Sequence, residues 1–349
     1  MAVVLAKAVE FPKAISNFRK SFEYSKVIFW YPQHQSRALR QLQDGVHHID
    51  LVIEVRDARI PLTSINNRFD AILGTKARMI VYNKTDLANP NMRIPLVNAL
   101  QKHRAETPIF TKAHQGINIT AILQRAIEMS QSNPVRYPFL SIIVVGMPNV
   151  GKSTIINQLR RLGVNKARVS EVGKTAGITQ AIQTRVKIYE DPPIYLVDTP
   201  GIFDSHVASP IDGLKISVAG CTKDKLTEII SVADYLLFRL NNSHLSHIEK
   251  YVSVLDLEGP LDDIHQLLSH ICKQKHFYIL QKSRLHLTAP KYITRGKVMD
   301  AVLGDFYNLD EAARYFLELY RTNMFGPMTL DDLSAEGIKD WRLGLSASR

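Results

Sequence analysis

Cysteine is scarce in this 349-residue chain: Cys221 and Cys272 are the two it has, and neither has a second Cys nearby. That excludes a CxxC metal knuckle and offers no disulfide framework, which fits a reducing compartment. No apolar run approaches the ~20 residues that a membrane-spanning helix needs. The twelve histidines never form an HExxH pair, and His244 with His247 reads as part of a solvated helix face. Acidic residues are also short, 33 Asp and Glu against 44 Lys and Arg, for a formal charge of +11. Such a surplus points to a polyanionic partner or a basic targeting segment. With 45% apolar residues, the chain can bury one large core and a second, smaller one.

The acidic deficit is sharpest in the first 40 residues. Lys7, Lys13, Arg19, Lys20, Lys26, Arg37 and Arg40 stand there against Glu10 and Glu23. Val3, Val4, Leu5, Val9, Phe11, Ile15, Phe18 and Phe22 are interleaved with them. A basic, amphipathic amino terminus has the texture of an organelle import segment, so residues 1–28 are expected to be a mitochondrial targeting extension. The alternative is a basic first helix that binds RNA or covers the core.

Beyond it, apolar runs alternate with helical spacing. HIDLVIEV (His48 to Val55), ARMIVY (Ala77 to Tyr82), Pro108 to Thr111 and LSIIVV (Leu140 to Val145) read as strands. Thr184 to Tyr189 and Ile194 to Val197 complete the set, with helices over Ile117 to Met129 and Lys152 to Leu162. Continuous apolar strands between helices predict an α/β fold, a doubly wound, mainly parallel sheet. After about Asp204, long helical patterns such as Leu226 to Leu240 and Asp310 to Tyr320 take over. The expected division is therefore an α/β domain over 29–205 and a smaller, mainly helical domain over 206–349.

The chemistry lies in short motifs. GMPNVGKS, Gly146 to Ser153, matches the phosphate loop pattern G-x-x-x-x-G-K-[ST] between a strand and a helix. Backbone N–H groups of Asn149, Val150, Gly151, Lys152, Ser153 and Thr154 would cradle phosphate oxygens at the helix amino terminus. Lys152 would reach the β- and γ-phosphates, and the Ser153 hydroxyl would ligate Mg²⁺. DTPG, Asp198 to Gly201, closes the strand IYLV; Asp198 there can hold Mg²⁺ and the Gly201 N–H can meet the γ-phosphate. NKTD, Asn83 to Asp86, selects guanine. The Asp86 carboxylate accepts from N1–H and the exocyclic amine, donors that adenine lacks. Asn83 would face the N7 side, and Lys84 would lay its stem on the base plane. FTKA, with Thr111 and Lys112, follows the next strand, where a GTPase makes its last base contact.

These elements run base, base, phosphate, switch one, metal, whereas an ordinary GTPase begins with the phosphate loop. Joining the old ends through the segment Ile117 to Pro138, and opening the chain ahead of the base-reading strand, gives this circular permutation. Circular permutation leaves a site's geometry unchanged. Here it sends the chain from the DTPG switch straight into the helical region, a mechanical linkage between hydrolysis and a neighbouring domain.

Motif order, together with DARIP from Asp57, resembles the circularly permuted GTPases of the RbgA/YlqF group. WYPQHQSRAL (Trp30 to Leu39), GLKISVAGCTKD (Gly213 to Asp224) and LYRTNMFGPMTLDDL (Leu319 to Leu333) are similar to further stretches of that family, with Gln33 and Gln35 departing from its Gly and Met. The resemblance covers about Phe29 to Leu333 and implies work on the large ribosomal subunit and its rRNA; the basic extension implies the mitochondrial branch, of fungal origin. It also implies roles for three residues. His34 would supply the catalytic group that Ile202 cannot, because an aliphatic side chain after DTPG does not orient water. Asn149 would recruit K⁺, and Thr179 would be the switch-one Mg²⁺ ligand, with Thr175 as rival.

In the helical region Lys273, Lys275, Lys282, Arg284, Lys291, Arg295 and Lys297 accompany His276, Phe277, Tyr278 and Tyr292, a mixture that suits rRNA. The expectation is a monomer that binds GTP and GDP, in the mitochondrial matrix or against the matrix face of the inner membrane. A signalling-type GTPase acting on a protein or membrane partner without rRNA is the second reading.

Overall fold

The computed structural model describes residues 18–26, 43, 45–66, 68–166, 185–197, 209–222, 224, 228–278 and 307–347. They fall into two compact units, one within Lys26–Leu226 plus Pro327–Arg349, the other within Met1–Ser25 plus Thr227–Gly326.

The first unit is built on a six-stranded sheet. Its strands are β1 (Leu51–Asp57), β2 (Ala77–Asn83), β3 (Ile109–Phe110), β4 (Leu140–Gly146), β5 (Arg185–Tyr189) and β6 (Ile194–Val197). Their order across the sheet is β3-β2-β1-β4-β6-β5. β5 runs antiparallel to β6; every other pairing is parallel. β1 and β4 are buried at every position, as strands covered on both faces are. Helices cover both sides. Val46, Ile49, Phe69 and Leu73 pack with Ile143, Val145 and Val197, and Ala58, Leu62 and Ile80 pack with Met92, Leu96 and Leu100.

The chain runs outward from β1 to β2 and β3, then returns by the helix Ile119–Ser132 to place β4 on the other side of β1. The strand order therefore reverses between β1 and β4, and the carboxyl ends flanking such a reversal form the usual ligand crevice of an open α/β sheet. Asp57, Asn83 and Gly146 all stand at such ends.

Two differences from the sequence reading have physical causes. The helix Pro210–Val218, expected in the helical region, belongs to the sheet unit, where Leu214, Ile216 and Val218 are buried. The segment from Pro327 also returns to that unit. Met328 N–H donates to Leu87 O at 3.0 Å and Leu330 N–H to Arg59 O at 2.8 Å, while Leu333 and Trp341 pack on the cluster around Leu96. The compact units thus interleave along the chain, whereas the expected boundary lay between 205 and 206.

The helical unit packs Ile229–Asn241 against Leu245–Val254, Ile264–Lys275 and Leu309–Arg321. Residues 18–25, read from sequence as part of the basic extension, lie in this unit. Arg19 forms a forked pair with Asp234 at 2.8 and 3.1 Å, and Phe22 stacks edge-on to Tyr235. His247 corrects an expectation: it is buried, not solvated, and its ring Nδ1 pairs with Ser243 Oγ, four residues earlier, at 3.0 Å. His244 is exposed, as expected.

Candidate nucleotide site

Asn83 ends β2 and ties the base-reading loop to the phosphate loop. Its amide nitrogen donates to Val150 O at 2.9 Å, and its side-chain oxygen accepts from Thr111 Oγ1 at 3.1 Å and from Ala113 N–H at 3.0 Å. Three motifs far apart in sequence thus converge on one buried amide. The contact with the phosphate loop is close enough that a Cβ on Gly151 would run into the Asn83 amide nitrogen, and one on Gly146 into Val55 O. Both glycines also hold positive φ, +100° and +143°, so only glycine suits these positions.

Thr85 secures the base loop to the FTKA segment, its N–H and Oγ1 both donating to Thr111 O at 3.3 and 3.0 Å. From the same segment Ala113 O accepts from Gln158 Nε2, on the helix that follows the phosphate loop, at 3.1 Å. Lys112 is half-buried beside them. Asp86 then presents its carboxylate: Oδ1 is buried with no hydrogen-bond partner, and Oδ2 has His114 Nε2 at 3.7 Å. An orphaned carboxylate oxygen within the protein is costly unless a ligand supplies donors, and the guanine N1–H and amine are donors of the required kind.

Lys152 opens the helix Lys152–Lys166 and is 8% exposed; its ammonium donates back to Met147 O at 2.6 Å. Burial pushes its pKa down to about 8, and the nearby Lys84 ammonium pushes the same way. A polyphosphate there would relieve this cost. Ser153 and Thr154 follow in the first turn, Ser153 exposed. A hydroxyl oxygen there suits a hard cation such as Mg²⁺. Asn149, at φ +58°, is exposed and donates its amide nitrogen to Gly220 O at 2.8 Å.

The structure therefore brings together Asn83, Lys84, Asp86, Thr111, Lys112, Asn149, Val150, Gly151, Lys152, Ser153 and Thr154. His34, Thr175, Thr179, Asp198, Gly201 and Ile202 lie outside the described residues, as do Lys282, Arg284, Lys291, Tyr292, Arg295 and Lys297. No group of three or more His, Cys, Asp or Glu suited to a metal ion occurs among the described residues, and none of their helices is long and apolar enough to cross a membrane. Sequence reasoning gave no role to Asp57, Arg59 or Cys221. Arg59 lays its fork on the Asp57 carboxylate at 2.8 and 3.0 Å and reaches Ala219 O at 2.6 Å, and Lys84 Nζ is 3.0 Å from Asp57 Oδ2. DARIP was the signal available for them, but nothing in a local motif says which distant loops it will hold.

Comparison with known proteins agrees with this geometry. A family model described as 50S ribosome-binding GTPase matches residues 141–281. Mitochondrial GTPase 1 of Aedes aegypti is 34% identical over 317 residues, covering 88% of this chain and 94% of the relative. Mitochondrial ribosome-associated GTPase 1 of Bos taurus is 32% identical over 90% of this chain and 92% of its own length. The crystal structure of GNP-bound YlqF from T. maritima, 19% identical, matches with a TM-score of 0.54 over 85% of this chain and 99% of that one, a likeness of fold. Relatives of this identity span both units and YlqF shares the fold, so this chain belongs to the mitochondrial GTPase 1 family of circularly permuted GTPases, enzymes that hydrolyse GTP.

Proposed function

We propose that the chain binds GTP across the carboxyl ends of β2 and β4 and hydrolyses it to drive or check maturation of the large ribosomal subunit in mitochondria, with the ribosome stimulating the reaction. The observation that carries the nucleotide reading is the partnerless Asp86 oxygen, set beside a phosphate loop that Asn83 anchors. The ribosomal reading is supported by relatives named mitochondrial ribosome-associated GTPase 1 over nearly their full length, and by the +11 charge, which favours an rRNA partner.

Within the site, Asp86 reads the guanine edge, Asn83 holds base and phosphate loops in register, and Lys152 meets the β- and γ-phosphates. Ser153, with Thr179 and Asp198, would hold Mg²⁺, which when bound neutralises charge on the phosphate oxygens. The Asn149 side-chain oxygen is the atom K⁺ would take, and exchanging KCl for NaCl should lower turnover if it does. Gly201 would report the γ-phosphate, and His34 would orient the attacking water. The protein acts as a monomer in the matrix or against the inner membrane.

Single-turnover hydrolysis with and without mitochondrial large subunits tests the reading. Stimulation of about ten-fold or more is expected, equivalent to ~1.4 kcal/mol of barrier. His34→Ala should abolish most of it while leaving subunit binding with a GTP analogue intact. Equal stimulation of parent and variant removes His34 from the chemistry, and no stimulation of either makes the ribosome the wrong partner.

A further inference from the structure

The Asp57 carboxylate, at the end of β1, is fully buried yet meets two cations. Arg59 alone satisfies it with a two-pronged fork, so the second cation, Lys84 at 3.0 Å, is surplus to neutralisation. Lys84 is held at φ +61°, a left-handed conformation that a non-glycine residue keeps only where its surroundings fix it. Its tether is thus a charged contact to a strand that carries none of the nucleotide motifs.

The same carboxylate leads to the far side of the site. Arg59 donates to Ala219 O, Cys221 Sγ donates to Asp57 Oδ2 at 3.9 Å, and Gly220 O accepts from Asn149 of the phosphate loop. The turn Ala219–Cys221, which follows the helix Pro210–Val218, therefore touches the base half of the site through Asp57 and the phosphate half through Asn149. Burial would push the Asp57 carboxyl up, but Arg59 and Lys84 outweigh it and hold the group ionised. Cys221, buried beside that charge, is pushed up to about 11 and stays a thiol.

We propose that Asp57 is a positioning residue for the nucleotide, whose carboxylate sets Lys84 for the base and fastens the base-reading loop to the Ala219–Cys221 turn. The inference rests on the GTP reading above. Because the Lys84 stem addresses the plane of the base and not its edge, loss of Asp57 should weaken all guanine-like nucleotides by one common factor. Loss of Asp86 should instead change the ratio between GTP and ITP, which lacks the exocyclic amine.

Equilibrium binding of GTP and ITP to the full chain tests this. Asp57→Asn is expected to weaken both about equally, by ten-fold or more, in the parent, and by less than two-fold in a Lys84→Met background, the signature of an effect carried through Lys84. The proposal is overturned if Asp57→Asn binds GTP like the parent, or if its full effect persists without Lys84. Should Asp57→Asn fail to fold, Asp57→Glu keeps the buried charge while displacing the carboxylate, and runs the same cycle. A parent that binds neither nucleotide would overturn the GTP reading and this inference with it, whereas a parent that binds both while Asp57→Asn shows no loss overturns this inference alone.

Discussion

Among the described residues, the sheet unit buries Glu54, Arg56, Asp57, Arg59, Lys152 and Asp331, whereas the buried polar side chains of the helical unit are Asn241 and His247. The helical unit has the interior of a scaffold, aromatic and aliphatic, with Phe316 against Phe325 and Tyr251 edge-on to it. The sheet unit carries charge through its interior at a cost, since a buried ion pair is often no more stabilising than apolar residues of the same size. Four of these charges sit in two groups on opposite faces of β1. Asp57 and Arg59 face the nucleotide loops. Arg56, one residue away, points to the other side, where it pairs with Glu54 at 2.6 Å, Glu106 at 2.9 Å and the Tyr82 hydroxyl at 3.2 Å. The first group arranges a site, and the second locks β1 to β2 and to the end of the helix Arg93–Arg104.

The contrast can be broken from the sheet side most easily. Arg56→Ala leaves Glu54 and Glu106 facing each other's charge, softened by Arg78 on Glu54 and Arg104 on Glu106. Loss of one partner of a buried network costs about 3–5 kcal/mol, and urea unfolding should show it. A cost near zero would mean that the network is mere packing.

Lys152 gives the next effect. Its pKa near 8 in the free protein means that the ammonium is charged below that pH and loses its proton above it, whereas bound phosphate would hold the proton on. GTP affinity should therefore be flat with respect to Lys152 below pH 8 and fall by up to about ten-fold per unit above it. Lys152→Arg, charged throughout, should lack this step. Equal affinity of the parent at pH 7.5 and 9 would show that Lys152 does not bear on the phosphates.

The smallest effect lies in the helical unit. The Tyr251 hydroxyl donates to Asn241 Oδ1 at 2.9 Å and accepts from Leu261 N–H at 3.1 Å. Tyr251→Phe should cost only about 1–2 kcal/mol and leave GTP binding unchanged. A shift in nucleotide affinity as well as in the unfolding midpoint would show that this interior is not purely a scaffold.

What the sequence made legible follows from how local each signal is. The phosphate loop and NKTD each declare themselves within a few residues, and β1, β2 and β4 are readable because strands covered on both faces are mostly apolar, with Glu54 and Arg56 as exceptions within β1. His48 to Asp50 misled at the start of β1, since His48 closes the short 3₁₀ turn Val46–His48 and the strand begins only at Leu51. The helix Pro210–Val218 looked like the first of a helical domain because an apolar stripe says that a face is covered, not what covers it. The same limit hid the role of Asp331, which reads as an ordinary surface acid near the chain's end. It accepts from the Leu62 and Thr63 backbone N–H groups at 2.7 and 2.9 Å and from Thr63 Oγ1 at 2.6 Å, with Lys215 Nζ at 3.1 Å. Burial would raise its pKa, but Lys215 and Thr63 outweigh it, so this anchor persists at neutral pH and is lost in acid.

The return of Pro327–Leu333 to the base-reading loop has a consequence in time. Asn89 donates to a Thr329 hydroxyl 240 positions later, at 3.1 Å. At the usual pace of protein synthesis the NKTD loop emerges on the order of 10–50 seconds before the segment that buttresses it. The first motif to be made is therefore among the last to be finished, and a nascent chain holds an incomplete guanine pocket until its closing residues leave the ribosome. A premature stop shortly before Pro327 would spare every nucleotide motif and still deny that loop its backbone partners, so loss of function there would come from a pocket left open and not from a missing catalytic group.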